Sequence, residues 1–311
     1  MKFVMFNEGR LGLLENDQVK DITEIVAQGS EVARENLPLA LIGSFDKLRE
    51  RILGDRGSFL SLAEVKLGPP VPRPGNILCM AVNYNDGLIT SPHVNAFHKA
   101  ANAIIGPGQS MVLPNIPATA FEGEAELAVV IGRQAKNVLP KDAMEYVFGY
   151  MNFIDGSARG VQPATNSFFQ MKSRDTFAPI GPYLVTKNEI ADPQNLDIRA
   201  WVNGQLKQDF NTRTMTTTIA ESIAWLSEIQ TLMPGDIVAT GTDHCGLNAF
   251  QDGDLVEMEA LGLGRLHILV KDDLKRTWSR ETRIDRKNQG FAGAETIAPQ
   301  LSGKYSKADQ L

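Results

Sequence analysis

The segment Glu124-Ala125-Glu126-Leu127-Ala128-Val129-Val130-Ile131 constrains the architecture of this chain more than any other. Its last five residues are apolar and partly β-branched, which predicts a buried strand. Residues i and i+2 of a strand point to the same face, roughly 6.6–7 Å apart along the backbone. We therefore expect the carboxylates of Glu124 and Glu126 to project side by side where this strand begins.

Two adjacent carboxylates repel each other unless a positive charge lies between them. At about 5 Å and an effective dielectric constant of about 20, the pair repels by roughly 3 kcal/mol. A divalent cation would remove this repulsion and take both groups as ligands. The alternative is that Glu124 and Glu126 are solvated charges where a loop becomes a strand, and the pair alone favours neither interpretation.

Composition narrows the class of protein. The chain has 311 residues, 43% of them hydrophobic, which suits a large domain with or without a small partner domain. The formal net charge of -6 argues against non-specific nucleic-acid binding, which needs a basic surface. The chain contains no run of about 18 apolar residues and no signal-peptide core, so neither membrane nor secretory targeting is expected. Cys79 and Cys245 lack metal-type spacing, so we expect a cytoplasmic protein with free thiols, a disulfide between them being the alternative.

Three segments are predicted along the chain. Residues 1–70 are expected to form a small N-terminal domain, with short strands or strand-to-turn segments at Phe3–Phe6 and Val19–Ile25 and an amphipathic helix over Ser44–Leu53. The proline-rich stretch Gly68–Gly75 marks the boundary to the main body, residues 71–280. Residues 281–311 are polar and show no periodic pattern, which predicts a tail that follows the surface or wraps a partner.

The main body reads as many short strands with few helices. Helices are predicted over Lys141–Phe148 and Thr218–Ile229, the second opened by a capping box of Thr218 and Glu221. The predicted strands are Ile198–Val202, which ends in an Asn203-Gly204 hairpin turn, then Ile237–Thr240, and Leu255–Val270, which is broken at Gly262 and Gly264. The predicted fold class is mixed α/β and β-rich, a mixed or rolled sheet with a few covering helices.

Three further segments carry polar groups that could do chemistry. Asp155 follows an apolar segment and could supply a third oxygen ligand for Mg²⁺ or Mn²⁺, or it could be an ordinary turn residue before Gly156. Lys172 lies among aromatic residues and could be a desolvated proton donor, or a surface lysine paired with Asp175. The turn Thr240–Asp243 could bind an anionic group, or be an ordinary turn.

These pieces occur together, in order, in a known family. From Arg73 to about Leu269 the chain resembles the fumarylacetoacetate hydrolase superfamily. The matching segments are Pro74–Leu78, Asn83-Tyr84, Ile105–Gly108, Glu124–Gly132, Asp155–Arg159, Lys172–Pro182, Val202–Gly204, Gln208, Asn211-Thr212, Leu232–Asp236 and Thr240–Thr242. Each segment is weak evidence alone, but their joint order over some two hundred residues is specific. The first 70 residues resemble the small N-terminal α+β domain of bacterial members.

The resemblance implies a mixed β-sandwich roll, usually a homodimer, that holds Mg²⁺ or Mn²⁺ and acts on 2-oxo or 2,4-dioxo carboxylates. The implied metal ligands are Glu124, Glu126 and Asp155. The implied catalytic residues are Lys172, Asp155 and Glu124. The implied substrate-binding residues are Tyr84, Arg159, Gln208 and Thr242. The metal would stabilise the enolate that forms as a C–C bond breaks.

One departure from the family pattern bears on the reaction. Hydrolytic members carry a His-x-x-Glu pair shortly after Asn-Tyr, and this histidine activates water. Here Gly87 and Thr90 stand at those positions. His93 or His98 could supply the missing base. Thr242-Asp243 replaces the family's usual Thr-Pro, and Asp243-His244 is another possible acid/base pair.

Three hypotheses about activity follow. The first is hydrolysis of a C–C bond in a 2,4-dioxo acid. The second is lyase or isomerase chemistry on a 2-oxo acid (decarboxylation, dehydration or tautomerisation), which needs a proton donor but no activated water. The third is a non-catalytic binding protein, which the retained carboxylates argue against.

Overall fold

The fold is described from a computed structural model that covers residues 1–28, 32–85, 93–163, 167–291 and 300–302. The strands are β1 (Lys2–Phe6), β2 (Arg10–Glu15), β3 (Gln18–Asp21), β4 (Phe59–Ser61), β5 (Leu67–Gly68), β6 (Ile77–Met80), β7 (Ala96–Lys99), β8 (Ile104–Ile105), β9 (Ser110–Val112), β10 (Ala120–Ile131), β11 (Val147–Arg159), β12 (Ala178–Thr186), β13 (Asp197–Val202), β14 (Gln205–Asn211), β15 (Ile237–Ala239), β16 (Leu255–Ala260), β17 (Leu266–Lys271), β18 (Thr277–Trp278) and β19 (Gln300–Ser302). The α-helices are α1 (Thr23–Ala27), α2 (Leu37–Gly54), α3 (Phe168–Lys172), α4 (Ile219–Ile229) and α5 (Arg283–Asn288). Short 3₁₀ helices cover Arg34–Asn36, Leu62–Glu64, Ala101–Ala103, Pro140–Tyr146, Lys187–Glu189, Pro193–Asn195 and Thr212–Thr214.

Two sheets make up most of the described structure. The larger, 12-stranded sheet has the order β4-β3-β2-β1-β12-β11-β10-β15-β6-β7, with β5 beside β1 and β8 beside β12. The 5-stranded sheet has the order β14-β13-β16-β17-β9. One hydrophobic cluster joins them, because it contains Leu127 of β10 together with Ile198 of β13 and Met258 of β16. The predicted mixed, β-rich α/β fold is confirmed.

The long antiparallel pair β10 and β11 lies inside the larger sheet and is buried along its whole length. Side chains alternate between its two faces. On β10, Leu127 and Val129 point into the cluster shared with the smaller sheet, whereas Ala128 and Val130 point into a second cluster on the other side. The glutamates of β10 lie on this second face, so a polar patch continues an apolar one along the same strand.

The N-terminal strands continue the sheet of the main body. β1 pairs antiparallel with β12, with Lys2 opposite Val185 and Phe3 opposite Leu184. Phe3 also belongs to the same hydrophobic cluster as Met151 of β11. The sheet therefore runs through the predicted boundary near residue 70 without a break, and the division into 1–70, 71–280 and 281–311 stays a prediction.

The main local predictions agree with the structure. Thr218 caps α4, and its capping box with Glu221 is formed in both directions. The Asn203-Gly204 turn joins β13 to β14, with φ of 52° and 75°, the left-handed values that a tight hairpin requires. The interrupted run Leu255–Val270 forms β16 and β17, with positive φ at Gly262 and Gly264.

Four local predictions were wrong in part. The segment Val19–Ile25 is a strand only as far as Asp21, and α1 begins at Thr23. The segment Lys141–Phe148 is not an α-helix: a 3₁₀ helix ends at Tyr146, and Val147 and Phe148 already belong to β11 because a β-branched and an aromatic residue suit a buried strand. The helix predicted from Ser44 begins at Leu37, with Pro38 tolerated in its first turn. Residues after 280 include the short helix α5, which is too short to show a hydrophobic period in the sequence.

Candidate active site

Three buried carboxylates meet on one face of the β10–β11 pair. Glu124 and Asp155 are direct cross-strand partners, and Glu126 follows two residues along the same face. One oxygen atom from each of the three lies within 4.8 Å of the others. All three residues are at most 5% exposed, and both strands extend well beyond them. The strand begins at Ala120, so the two glutamates lie inside it rather than at its entrance, and neither the solvated-charge nor the turn interpretation describes them.

Two lysines neutralise part of this cluster. Lys172, at the end of α3, donates from Nζ to Glu124 Oε2 and Asp155 Oδ2, each at 2.7 Å. Lys99, on β7, donates to Asp155 Oδ1 at 2.5 Å and to the main-chain oxygens of Gly156 and Lys172. Asp175 instead accepts from the Asn102 amide at the surface. Lys172 is therefore a buried residue of the cluster and not a surface partner of Asp175.

Arg159 links the carboxylate cluster to a fourth carboxylate, Glu122. Its Nη2 donates to Glu124 Oε1, and its Nε donates to Glu122 Oε2 at 2.7 Å. Glu122 also accepts from Arg283 in α5, at 3.2 Å and 2.5 Å. The pair of arginines and the pair of glutamates form one continuous chain of hydrogen bonds beside the cluster.

The surroundings shift the pKa values of the buried glutamates in opposite directions. Burial opposes ionisation of Glu124, but Lys172 and Arg159 hold its pKa well below the usual range. Burial likewise opposes ionisation of Glu122, and Arg283 and Arg159 lower its pKa to about 2. In contrast, burial raises the pKa of Glu126 well above its usual range, and the Asp155 and Glu124 charges add to that effect. Glu126 thus carries the charge that the protein compensates least.

The donor set fits a hard divalent cation. Mg²⁺ and Mn²⁺ prefer carboxylate oxygens, and this cluster offers three of them within reach of one ion. Such an ion would relieve the mutual repulsion that raises the pKa of Glu126. Because Lys172 contacts two of the same carboxylates, a bound ion and the ammonium group would share them.

A cavity of about 100 Å³ opens beside the cluster. Its polar lining consists of Glu124, Arg159, Lys172, Gly241, Thr242 and His244. Its apolar lining includes Met80 and the pair Phe97 and Phe168, whose rings stack at 4.6 Å. Larger clefts exist elsewhere, such as one of about 290 Å³ beside α2, but the three-carboxylate cluster lies at the small one.

The predicted substrate-binding residues occupy different places around this cavity. Arg159 and Thr242 line it. Gln208 lies behind Thr242 and donates to its hydroxyl at 2.9 Å, while the same hydroxyl donates to the Ala125 carbonyl at 2.7 Å. Tyr84 does not line the cavity; it is fully buried edge-on against Phe210, and its hydroxyl has no partner among the described residues. The substrate-binding roles of all four stay predictions.

The three candidate histidines differ in their position relative to the cavity. His98 lies on β7 but is exposed, because the alternating face carries Phe97 and Lys99 inward. His93 is exposed as well. His244 lines the cavity, with Nε2 3.8 Å from Glu124 Oε1. Gly87 and Thr90, where the family's His-x-x-Glu pair would stand, lie outside the described residues.

Three residues of the site were missed at the level of sequence. Glu122 had a readable signal, since it precedes Glu124 by two residues and therefore shares its strand face. Lys99 had a weaker one, its spacing of two from the aromatic Phe97. Arg283 had none, because nothing near it in sequence indicates a partner 161 residues away.

Buried carboxylates, amines and a guanidinium converging on one small cavity characterise an enzyme active site rather than a structural core. Comparison with known proteins also indicates an enzyme. The chain belongs to the fumarylacetoacetate hydrolase family, because the family model described as Fumarylacetoacetate (FAA) hydrolase C-terminal matches residues 76–271.

Named relatives of the chain are enzymes. Maleylpyruvate hydrolase of Aquipseudomonas alcaligenes is 34% identical over 295 residues, covering 87% of this chain and 99% of the relative. The mitochondrial oxaloacetate tautomerase of Bos taurus is 39% identical over 228 residues, covering 69% of this chain and 72% of the relative. The crystal structure of maleylpyruvate hydrolase from Sphingobium sp. SYK-6 with manganese(II) and pyruvate superposes with a TM-score of 0.79 at 34% identity, covering 88% of this chain and 99% of that one.

Proposed function

We propose that this protein is a divalent-metal-dependent hydrolase that cleaves a C–C bond in a 2,4-dioxo carboxylate of the acylpyruvate type. The observation that carries the proposal is the convergence of Glu124, Glu126, Asp155 and Lys172 beside one cavity. Support comes from the match to maleylpyruvate hydrolase over 99% of that relative's length. Glu124, Glu126 and Asp155 would hold Mg²⁺ or Mn²⁺, which supplies positive charge where the 2-oxo oxygen becomes an enolate oxygen.

The protein's own groups would bind and orient the substrate and move its protons. Arg159 and Thr242 border the cavity, and the Arg159 guanidinium can bind the carboxylate end of the substrate through charge and hydrogen bonding. Gln208 fixes the Thr242 hydroxyl. In hydrolysis, water adds to the acyl carbonyl, the bond to the neighbouring methylene carbon breaks, and that carbon takes up a proton. Lys172 would deliver this proton, because it lines the cavity and its ammonium group lies beside Glu124 and Asp155.

Hydrolysis also needs a base that removes a proton from water, and His244 is the histidine that lines the cavity. We expect His244→Gln to lower kcat for acylpyruvate hydrolysis by about 10²- to 10⁴-fold, the usual contribution of a general base. His98→Gln is the matched control, because His98 is exposed on the outward face of β7, and it should retain full activity. Steady-state kinetics of both variants test the assignment, and an unaltered rate in His244→Gln would remove this residue from the mechanism.

The second candidate is a lyase or isomerase reaction on a 2-oxo acid, in particular tautomerisation. Two observations favour it: the sequence lacks the family's His-x-x-Glu pair, and a 39% identical relative is an oxaloacetate tautomerase. Tautomerisation moves a proton between carbon and oxygen and consumes no water, so Lys172 would suffice as the proton carrier.

Product analysis separates these reactions. We expect an acylpyruvate incubated with the protein and Mg²⁺ in H₂¹⁸O to give pyruvate and a second carboxylate that contains the label. Oxaloacetate and a 2-oxo-3-deoxy sugar acid, assayed in parallel by NMR, report tautomerisation, decarboxylation or dehydration. Loss of carbon dioxide or of water, without label in a carboxylate product, would replace the hydrolase proposal by the lyase alternative.

We further propose that the protein works as a cytoplasmic homodimer. The family resemblance supports the dimer, and Cys79 forms no disulfide with Cys245, as a reducing compartment favours. Among the described residues, the helices are all too short or too polar to cross a bilayer. Light scattering of the purified protein would determine the oligomeric state.

A further inference from the structure

The segment after β17 packs back against the start of β10. Trp278 is buried, and its indole N–H donates to the Thr119 carbonyl, next to the start of β10, at 2.6 Å. Gln251, which lies beyond the cavity turn, donates to the Trp278 carbonyl at 2.7 Å. This segment lies outside the family match, which ends at residue 271. It nevertheless contacts the residue that precedes β10 and the stretch that follows the turn Thr240–Asp243.

The helix α5 packs against the stretch that follows His244. The main-chain N–H groups of Arg283 and Ile284 donate to the carbonyls of Leu247 and Cys245, each at 2.9 Å. A capping box between Thr282 and Asp285 fixes the first turn of the helix. These bonds fix the main chain at Arg283 beside the segment that contains His244.

From this position Arg283 contacts Glu122, which lies beside the carboxylate cluster. Its guanidinium binds both oxygens of Glu122, a residue only 1% exposed. Glu122 binds Nε of Arg159, and Nη2 of Arg159 binds Glu124. Arginine and glutamate alternate along this chain, so each buried charge has an opposite charge on the next residue.

We propose that Arg283 is a positioning residue for the active site, acting through Glu122 to hold the Arg159 guanidinium against Glu124 and at the cavity wall. Arg159 is shared between two carboxylates. Arg283 also neutralises the Glu122 carboxylate, so the Arg159 guanidinium can bind Glu124 as well. Without Arg283, the buried Glu122 charge has Arg159 as its remaining cation, and the guanidinium is drawn away from the cavity.

This inference rests on the proposed function for the choice of ligand, so the test uses pyruvate together with Mn²⁺. We expect Arg283→Gln to raise the Kd of pyruvate by about 10- to 100-fold, the range found for groups that orient a binding residue. KM for an acylpyruvate should rise in parallel while kcat changes little. Arg283→Lys should restore part of the affinity, because lysine keeps the charge but lacks the planar fork.

Arg280→Gln is the matched control. Arg280 belongs to the same segment, but within the described part of the chain its guanidinium donates to Asp254, at 2.7 Å and 2.8 Å, and not to the glutamates of β10. If α5 only stabilises the fold, the Arg280 and Arg283 variants should lower the melting temperature alike and leave pyruvate affinity unchanged. If the chain of charges positions Arg159, only the Arg283 variant should weaken pyruvate binding.

A double-mutant cycle tests the route of the effect. Glu122→Gln and Arg283→Gln act on the same chain, so their combined effect on pyruvate affinity should fall short of the sum of the single effects. Additive effects, or a loss in Arg283→Gln no larger than in Arg280→Gln, would overturn the proposal. Should Arg283→Gln be too unstable to purify, Arg283→Lys supports the same comparison.

One readout needs no ligand. The NMR signal of the Arg159 Nε–H group in the free protein should shift in Arg283→Gln and stay in place in Arg280→Gln. If the wild-type protein fails to bind pyruvate, the proposed function is wrong while this signal still tests the positioning of Arg159. If the Arg159 Nε–H chemical shift is the same in Arg283→Gln as in the wild type, the positioning role is disproved, whatever reaction the protein catalyses.

Discussion

Replacing Lys172 by methionine should lower kcat by about 10²- to 10⁴-fold without weakening metal binding. The methionine keeps the length of the side chain but carries no proton to transfer. The ammonium group it removes lies 2.7 Å from both Glu124 and Asp155. These carboxylates would then be less neutralised, so a dication should bind at least as tightly as before. Steady-state kinetics at saturating Mn²⁺ and a Mn²⁺ titration followed by electron paramagnetic resonance measure the two effects separately.

Lys187→Met is the matched control for this variant. Lys187 is also partly buried, but it donates to the main-chain oxygens of Met144 and Glu145, away from the cavity. Its variant should lose some stability and keep its kcat. A Lys172→Met protein that retains wild-type kcat would exclude Lys172 from proton transfer, and one that loses Mn²⁺ would mean that the lysine organises the carboxylates instead.

Replacing Glu126 by glutamine should abolish metal binding while leaving the fold intact. The amide oxygen can still accept the Gly241 N–H, which donates to Glu126 Oε2 at 2.8 Å in the wild type. What disappears is one of three negative ligands. Since removal of groups that merely orient a ligand costs about 10- to 100-fold in affinity, loss of a direct ligand should cost more than about 100-fold. Activity at ordinary Mn²⁺ concentrations should disappear with it.

Although Glu126→Gln should lose metal affinity, the stability of the metal-free protein should not fall. The pKa of Glu126 is raised because burial and the Asp155 and Glu124 charges disfavour its ionised form. A neutral glutamine removes that unfavourable charge, so the melting temperature without metal should be equal to or above that of the wild type. Glu259→Gln on β16, which removes a partly exposed carboxylate paired with Arg265, should affect neither Mn²⁺ affinity nor activity. Wild-type Mn²⁺ affinity in Glu126→Gln would contradict the assigned metal site.

Several parts of the fold and site were readable from short stretches of the chain. Alternation along a strand put Glu124 and Glu126 on one face, and β10 confirms it. The capping box at Thr218 and the Asn203-Gly204 turn were equally local, because each depends on hydrogen bonds or backbone angles within about four residues. The same alternation applies to Glu122, because β10 begins at Ala120 and not at Glu124.

Other parts had no local signal. A lysine in a strand gives the same sequence pattern whether it faces solvent or a buried aspartate. Lys99 lies 56 residues before Asp155, and the pairing of β7 with β6 brings it to the site. The contact between Arg283 and Glu122 spans 161 residues and depends on where α5 packs. The choice among His93, His98 and His244 was likewise open until their positions relative to the cavity were known.

What the amino-acid order settled for this protein is the set of short-range structures: the buried strands, their faces, the tight turn and the helix cap. It also settled which carboxylates share a face. Strand order and helix docking settled which charges neutralise that face, because the free energy of a buried ion pair comes from groups brought together across the sheet. Periodicity and turn preferences act over a few neighbouring residues, and they carry no information about partners a hundred residues away.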